Sequence, residues 1–358
     1  MHSLQQIINE VNRTHKGLGE MIAMNILAAK ARRCILNISP AGCGKSTVTN
    51  AVHAALGELS RKYSSMTLAG LRHLAETLSG CQQHLLIDDL GAEKSYWART
   101  STITVLASLV HTGYVYKITQ QYAIEIDGFQ GSAAINVQPV LMNALVADED
   151  WVAVVRDKTL RYYHLHRPRK PHEAAPNIKV NWGVPTDTVR LKIRKGKLWY
   201  QILSYGLTQW SYARCLEHIP AYLKAAAALD GRSEVTTADY RLLIKLFKPM
   251  ALERYLLKSF GMESGRTFQD DVFCLLTELA TDKVVPVETV CEDYKVSPNT
   301  IKQVVHDNSD WFYIKENSPE LLMPTEYTKK ILTLIGAQNY GKEAGANSKS
   351  KGEQPPVV

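Results

Sequence analysis

The 358-residue sequence lacks any run of the roughly 20 apolar residues needed to cross a bilayer, so no membrane span is expected. Its opening stretch, MHSLQQIINEVNR, places polar and acidic residues where a secretion signal needs an apolar core, which argues against export. Cysteine is sparse and scattered. The six residues, at positions 34, 43, 81, 215, 274 and 291, form no CxxC pair and no Cys/His grouping at zinc spacing. That pattern sets aside a zinc site and predicts free thiols, most of them small core residues, in a reducing compartment. No internal repeat is found. These absences together predict a cytoplasmic protein with no membrane contact.

The length allows two or three domains, and a hydrophobic content of 45% is enough for packed cores. Lysine and arginine number 42 against 35 acidic residues, a net charge of +7 that suits a nucleic-acid partner without singling one out. Residues 3–33 carry apolar residues at helical spacing. CILNIS (34–39) is a short apolar run that enters a glycine-rich turn, and STVTNAVHAALGEL reads as the helix that follows. HLLIDDLG (84–91), GSAAINVQP (131–139) and LRYYHLHRP (160–168) read as further strands, with STITVLASLVHTG as a helix. Alternating strands and helices predict an α/β fold with a mostly parallel sheet between helices. After Pro168 a proline-rich basic linker leads to a helical stretch at 205–258, then GMESGRT (261–267) reads as a hinge. Residues 336–358 are polar and are expected to be a disordered tail.

SPAGCGKST (39–47) departs from the phosphate-loop pattern G-x-x-x-x-G-K-[ST] at its first position, where Ser39 stands in place of glycine. In such a loop Ser39, Pro40, Ala41, Gly42, Cys43, Gly44, Lys45, Ser46 and Thr47 would wrap the phosphates of a nucleotide. Gly42 and Gly44 would let the backbone approach, Lys45 would reach the β- and γ-phosphates, and the Ser46 hydroxyl would hold Mg²⁺. The plain alternative is a glycine-rich turn with an incidental lysine. Asp88 weighs against it. An apolar strand that delivers a carboxylate to its carboxyl end is how Mg²⁺ is held through water opposite the loop. Asp89, one residue on, would face the attacking water as general base, with Glu93 as the next candidate.

SPAGCGKST, LLIDDLG and the asparagine that closes SAAIN together resemble the AAA+ ATPases over roughly residues 20–260. The IDDLG form is similar to that of bacterial helicase loaders and transposition helper ATPases. Two positions depart from the family pattern: Ser39 replaces glycine, and Asp89 stands where glutamate is usual. The resemblance implies a P-loop AAA+ core at 1–170, a linker, basic strand and helical lid at 171–260, and ATP with Mg²⁺ as cofactors. It also implies ATP hydrolysis. Asn136 would be the sensor that orients the attacking water, against a plain strand-end asparagine. Arg156 would be an arginine finger for a neighbouring subunit, with Arg161 as its near alternative, and Arg214 a second sensor in the lid. An arginine finger implies a homo-oligomer, either a ring or a helical assembly.

Residues 261–335 follow the order of a winged helix-turn-helix: DDVFCLLTELA, VETVCEDY and SPNTIKQVVHDN as helices, then two strand-like pieces. Asn299, Thr300, Lys302 and Gln303 would then face the phosphates and base edges of double-stranded DNA. A protein-docking winged helix is the alternative. RLKIRKGKLWYQ (190–201) suggests a strand with one basic face, either gripping DNA or protecting a sheet edge. The whole predicts an ATPase that assembles on DNA in the manner of initiators, helicase loaders or transposition helpers, with a helicase or recombinase as a further partner. A nucleic-acid translocating motor, such as a helicase or viral packaging ATPase, and an ATP-switched DNA-binding module with little hydrolysis remain the alternatives.

Overall fold

In the computed structural model the first helical stretch is split in two, because Gly17 turns the chain at a φ of 84°. The structure describes residues 3–90, 95–118, 123–148, 151–170, 174–192, 196–259, 266–337 and 340. Helix α1 (Ser3–Thr14) is amphipathic and buries Leu4, Ile7, Ile8 and Val11. Helix α2 (Gly19–Ala31) is buried on all sides except at Glu20, as a helix with no polar face must be. There follow β1 (Cys34–Ile38), α3 (Lys45–Leu56), β2 (Ser60–Tyr63), α4 (Leu68–His73), α5 (Ala75–Leu78) and β3 (His84–Ile87). Next come α6 (Tyr96–Thr112), β4 (Val115–Ile118), β5 (Ala123–Ile126), β6 (Ser132–Val137), α7 (Pro139–Ala147) and β7 (Thr159–Tyr163).

Five strands make one parallel sheet in the order β2-β3-β6-β1-β7, which is the order of an AAA+ core. Strands β1, β3, β6 and β7 are buried along their whole length, the state expected where helices cover both faces. β4 and β5 form a separate antiparallel pair, and Tyr116 and Ile118 are exposed along its first strand with Tyr114 just before it.

Helices α8 (Lys197–Gly206), α9 (Tyr212–Leu229) and α10 (Thr237–Phe247) occupy the region expected of a lid. Their Ile202, Tyr222, Leu223, Leu243 and Phe247 share one hydrophobic core with α1, α2 and α3, so they are built into the same unit as the sheet. Among the described residues of 190–201 the expected basic strand is not formed. Arg190 makes an isolated backbone bridge beside Glu234, the Lys192 amine pairs with the Glu234 carboxylate at 3.0 Å, and Gly196 opens α8. Arg194 lies outside the described residues. From Lys197 the chain is helical, because Trp199, Ile202 and Leu203 fall at helical spacing and bury against the core.

Strand β7 is the edge of the sheet, and side chains close it. The Gln209 amide accepts from Arg161 N at 2.9 Å and donates to Arg161 O at 2.7 Å, while Trp210 Nε1 donates to Thr159 O at 2.7 Å. The Arg161 guanidinium is fully buried on Glu253, with its Nε at 2.6 Å and its Nη2 at 3.0 Å from the two carboxylate oxygens. Glu253 opens α11 (Glu253–Leu256), which is followed by β8 (Leu257–Ser259), β9 (Arg266–Phe268) and α12 (Asp270–Thr281).

A second unit begins at Glu278, within α12. It contains β10 (Val285–Pro286), α13 (Val287–Tyr294), α14 (Pro298–Asp307), β11 (Phe312–Lys315), β12 (Leu321–Pro324) and α15 (Glu326–Leu334). The three strands pair antiparallel in the order β10-β12-β11, which completes a winged helix-turn-helix. Ser297 caps α14 by accepting from Thr300 N, and Pro298 takes the first helical position. Val290, Ile301, Val305, Phe312, Leu322 and Leu332 form its core. Most of the expected hinge at 261–267 and of the tail at 336–358 lies outside the described residues. No described helix is long and apolar enough to cross a membrane.

Removing one partner of the Arg161–Glu253 pair strands a buried charge. Glu253→Ala is expected to cost about 3–5 kcal/mol of unfolding free energy. The double variant Arg161→Met with Glu253→Leu is expected to lose clearly less. Denaturant midpoints for the three proteins measure this, and equal losses in the single and double variants would contradict it.

Candidate nucleotide site

The loop between β1 and α3 bends at two glycines only, with φ of 78° at Gly42 and 83° at Gly44. Among the described residues the only non-glycine positions with positive φ are Arg32 and Lys295, so Ser39 needs no glycine freedom. Its N–H continues the sheet to Val137 O at 3.3 Å. The departure from the phosphate-loop pattern is therefore without backbone strain. Both glycines matter by their missing side chain. A Cβ at Gly42 would lie 2.8 Å from Arg167 Nη1, and one at Gly44 would lie 2.9 Å from Leu18 Cδ2.

Lys45 opens α3 and folds back over the loop. Its Nζ donates to Ser39 O, to Pro40 O at 2.8 Å and to Ser39 Oγ at 3.2 Å. These partners are neutral oxygens. Burial is the largest influence on the amine and pulls its pKa down to about 8, with the Arg167 charge adding to the fall and Asp89 and Asp88 opposing it. A cation held by carbonyls beside open helix N–H groups suits a polyanion such as a nucleotide's phosphates.

The carboxyl end of β3 supplies the acids. Asp88 N bonds Tyr63 O at 3.0 Å, which extends the β2–β3 pairing, and its carboxylate accepts from Asn136 Nδ2 at 2.8 Å. Asn136 Nδ2 also donates to Thr49 Oγ1 at 3.0 Å, so one amide ties the strand-end carboxylate to α3. Ser46 lies one turn before Thr49 on the same face of α3. Asp89 is exposed, and one of its oxygens accepts from Leu90 N at 2.7 Å. Among the described residues no group of three or more His, Cys, Asp or Glu can hold a metal. Ser46 and Asp88 would supply few oxygens, which fits Mg²⁺ completed by phosphate and water. Glu93 lies outside the described residues.

Three residues at this site were not anticipated from the sequence. Arg167, 6% exposed, sits against the loop from the segment after β7. His164 N bonds Ile38 O at 2.9 Å, which carries β7 up to the loop mouth. The His164 ring reaches the Cys43 backbone, and burial holds it neutral with a pKa near 3. The third is Asn37 of β1, register partner of Asn136, whose Nδ2 donates to Asn136 Oδ1 at 3.2 Å. HLHR closes a core strand and LNI puts an amide into an otherwise apolar one, but only the sheet order brings these residues to the loop.

The arginines divide. Arg156 lies in the turn Trp151–Arg156 before β7 and reaches Gln209 O at 3.4 Å through Nε. Thr159 pairs with Cys34 and Tyr163 with Ile38, so this end of β7 is about 13 Å of strand away from the loop. Arg156 is therefore not brought to its own loop. Arg161, the near alternative, is locked on Glu253. Arg214 is not brought to the loop either. It pairs with Glu217 at 2.7 Å, and Glu217 with Arg33 at 3.3 Å, immediately before the opposite end of β1.

In the second unit Asn299, Thr300, Lys302 and Gln303 are all exposed on α14. Lys302 pairs with Glu320 at 2.8 Å, and Gln303 donates to Asp307 at 2.8 Å. Between residues 278 and 337 six lysines face ten acidic residues with no arginine, a net charge of −4.

Among solved structures the chain is similar to two variants of RuvB from Thermotoga maritima. Each is 12% identical with a TM-score of 0.26, over 89% of this chain and 94% of that one. Neither a family model nor a curated protein matches the sequence.

Holding Lys45 charged in this loop costs stability. Lys45→Met is expected to raise the unfolding free energy at pH 7 by on the order of 1–3 kcal/mol. Both folded and unfolded chains hold the proton below pH 8, so the cost is complete there. It shrinks as pH rises from about 8 towards the ordinary lysine value of 10.5, because the folded state sheds its proton first. Urea unfolding of both proteins at pH 7 and pH 10 measures the gap, and a gap that is absent or widens with pH contradicts it.

Proposed function

We propose that this chain is an oligomeric AAA+ ATPase that binds ATP with Mg²⁺ and couples hydrolysis to assembly or remodelling on DNA. The observation that carries the reading is one juxtaposition. A lysine-bearing glycine loop opens α3 at the end of β1, and the carboxylate ending β3 is tied to that same helix through Asn136. Residues 39–47 would wrap the phosphates, Lys45 and Arg167 would meet their charge, and Ser46 and Asp88 would hold the cation. Mg²⁺ would supply charge neutralisation at the phosphates. Asp89, exposed at the strand end, would accept a proton from water. Arg156 would serve the loop of the next subunit, which makes the oligomer a functional requirement. Arg214 has no place in this scheme.

DNA contact is assigned to the first unit. Residues 1–277 carry 33 basic against 23 acidic residues, whereas the winged helix is acidic. Phosphate contacts need cations, and those of α14 are few and paired. The charge therefore favours α14 as a protein-docking helix, the alternative that the sequence left open.

Lys45→Ala is expected to lower ATP affinity on the order of 10²-fold or more, and Asp89→Asn to slow turnover roughly 10²–10⁴-fold while ATP still binds. Mixing Lys45→Ala with Arg156→Ala subunits is expected to restore part of the turnover that each lacks. Unchanged ATP affinity in Lys45→Ala would remove the nucleotide site, and no recovery in formed mixed oligomers would remove Arg156 as a finger. Wild-type ATP affinity is also expected to be level below pH 8 and to fall above it, since phosphate binding needs Lys45 protonated.

For DNA, Lys302→Glu in the full chain is expected to leave duplex affinity and its salt dependence nearly unchanged. A marked loss, with a salt slope shallower by about one, would return DNA contact to α14.

A further inference from the structure

We infer that Asn37 and Asn25 are positioning residues that lock the Asn136 amide as a donor to Asp88, so that Asn136 acts on cation binding rather than on the attacking water. This rests on the nucleotide site proposed above. The direction of every bond in the chain follows from its ends. A carboxylate only accepts, so the amide nitrogen of Asn136 must face Asp88, and its oxygen then faces Asn37. Asn37 must present its nitrogen there, and it also donates to Asn25 Oδ1 at 3.0 Å. Asn25 returns a bond from Nδ2 to Asn37 Oδ1 at 3.2 Å and gives another to Met21 O, again a pure acceptor, at 2.8 Å.

All six amide hydrogens of the three asparagines are thereby used. In particular, Asn136 spends one on Asp88 and one on Thr49, which leaves none for a water. Turning the Asn136 amide over would set its oxygen against the Asp88 carboxylate and its nitrogen against the Asn37 nitrogen. Both contacts would be repulsive. The three side chains are nearly inaccessible to solvent, so no water compensates for such a flip. A fully buried strand such as β1 has no packing reason to hold an asparagine, and the chain of amides gives it one: to fix the orientation of a carboxylate two strands away.

Asn37→Asp reverses this polarity at constant shape, because an acceptor at position 37 claims the Asn136 nitrogen and turns its oxygen towards Asp88. Asn37→Leu removes the bond at similar volume. The probe is Mn²⁺ with a non-hydrolysable ATP analogue on the full chain, with bound Mn²⁺ read by electron paramagnetic resonance and analogue affinity measured separately without metal. Asn37→Asp is expected to weaken Mn²⁺ binding by about 10–100-fold, and Asn37→Leu by less, with metal-free analogue affinity within about twofold of wild type. Adding Asn136→Ala to Asn37→Asp is expected to bring little further loss. Wild-type Mn²⁺ affinity in both position-37 variants, or a parallel loss of metal-free analogue binding, overturns the inference. Failure of the wild-type chain to bind the analogue at all would instead count against the nucleotide site itself.

Discussion

Two cations crowd one glycine loop at the end of β1, and the rest of the site is arranged around keeping them there. Lys45 has only neutral oxygens for direct partners, and burial works against its charge. The Arg167 guanidinium presses on Gly42 so closely that any side chain there would displace it. Fold stability alone gives no reason to collect positive charge in this way. An anionic ligand does, because it turns an unfavourable field into binding energy. The same field explains why the acids sit two strands off, near enough to oppose the lysine's depression without pairing with it.

Strand β7 shows how one sequence segment divides two tasks. Its arginine at 161 is spent on architecture: with Glu253, Gln209 and Trp210 it closes the open edge of the sheet and anchors the chain that leaves α10. Its continuation through His164 to Arg167 is spent on the loop, four residues of strand from where Arg156 emerges at the other end. Parallel geometry enforces this division. Groups at the carboxyl end of a strand face their own loop, and groups before its amino end face outward, towards whatever molecule lies alongside.

The sheet and the loop were legible because buried parallel strands read as short apolar runs, and CILNI, HLLI and SAAINV announce themselves. SRKY of β2 does not, since an edge strand keeps its charges and loses the apolar signal. At 190–201 alternation over five residues resembles a strand, yet the described residues there join no sheet ladder and the chain turns helical from Lys197, where Trp199, Ile202 and Leu203 fall at helical spacing. Lys45, Asp88 and Asn136 were legible from motif and order alone. Arg167 and Asn37 were not, since their role depends on which strands are neighbours. That adjacency is a property of the sheet order β2-β3-β6-β1-β7 and not of any local pattern.

The uneven charge of the chain bears most directly on what the winged helix does. Duplex DNA presents about one negative charge per 1.7 Å of axis, so a helix entering its groove must bring more cation than anion with it. Helix α14 brings Lys302, already neutralised by Glu320 of the wing, and ends in Asp307. The wing itself, residues 316–320, contains Glu316 and Glu320 and no basic residue. Exposed Asn299, Thr300 and Gln303 can still hydrogen-bond a partner, but they offer no attraction to phosphate. A surface of amides and hydroxyls within an acidic field is matched better by a protein face of opposite charge, whose side chains can accept those bonds without like-charge cost. The helix-turn-helix geometry is thus compatible with recognition of either kind, and the charge distribution around it supports the proposal of a protein partner.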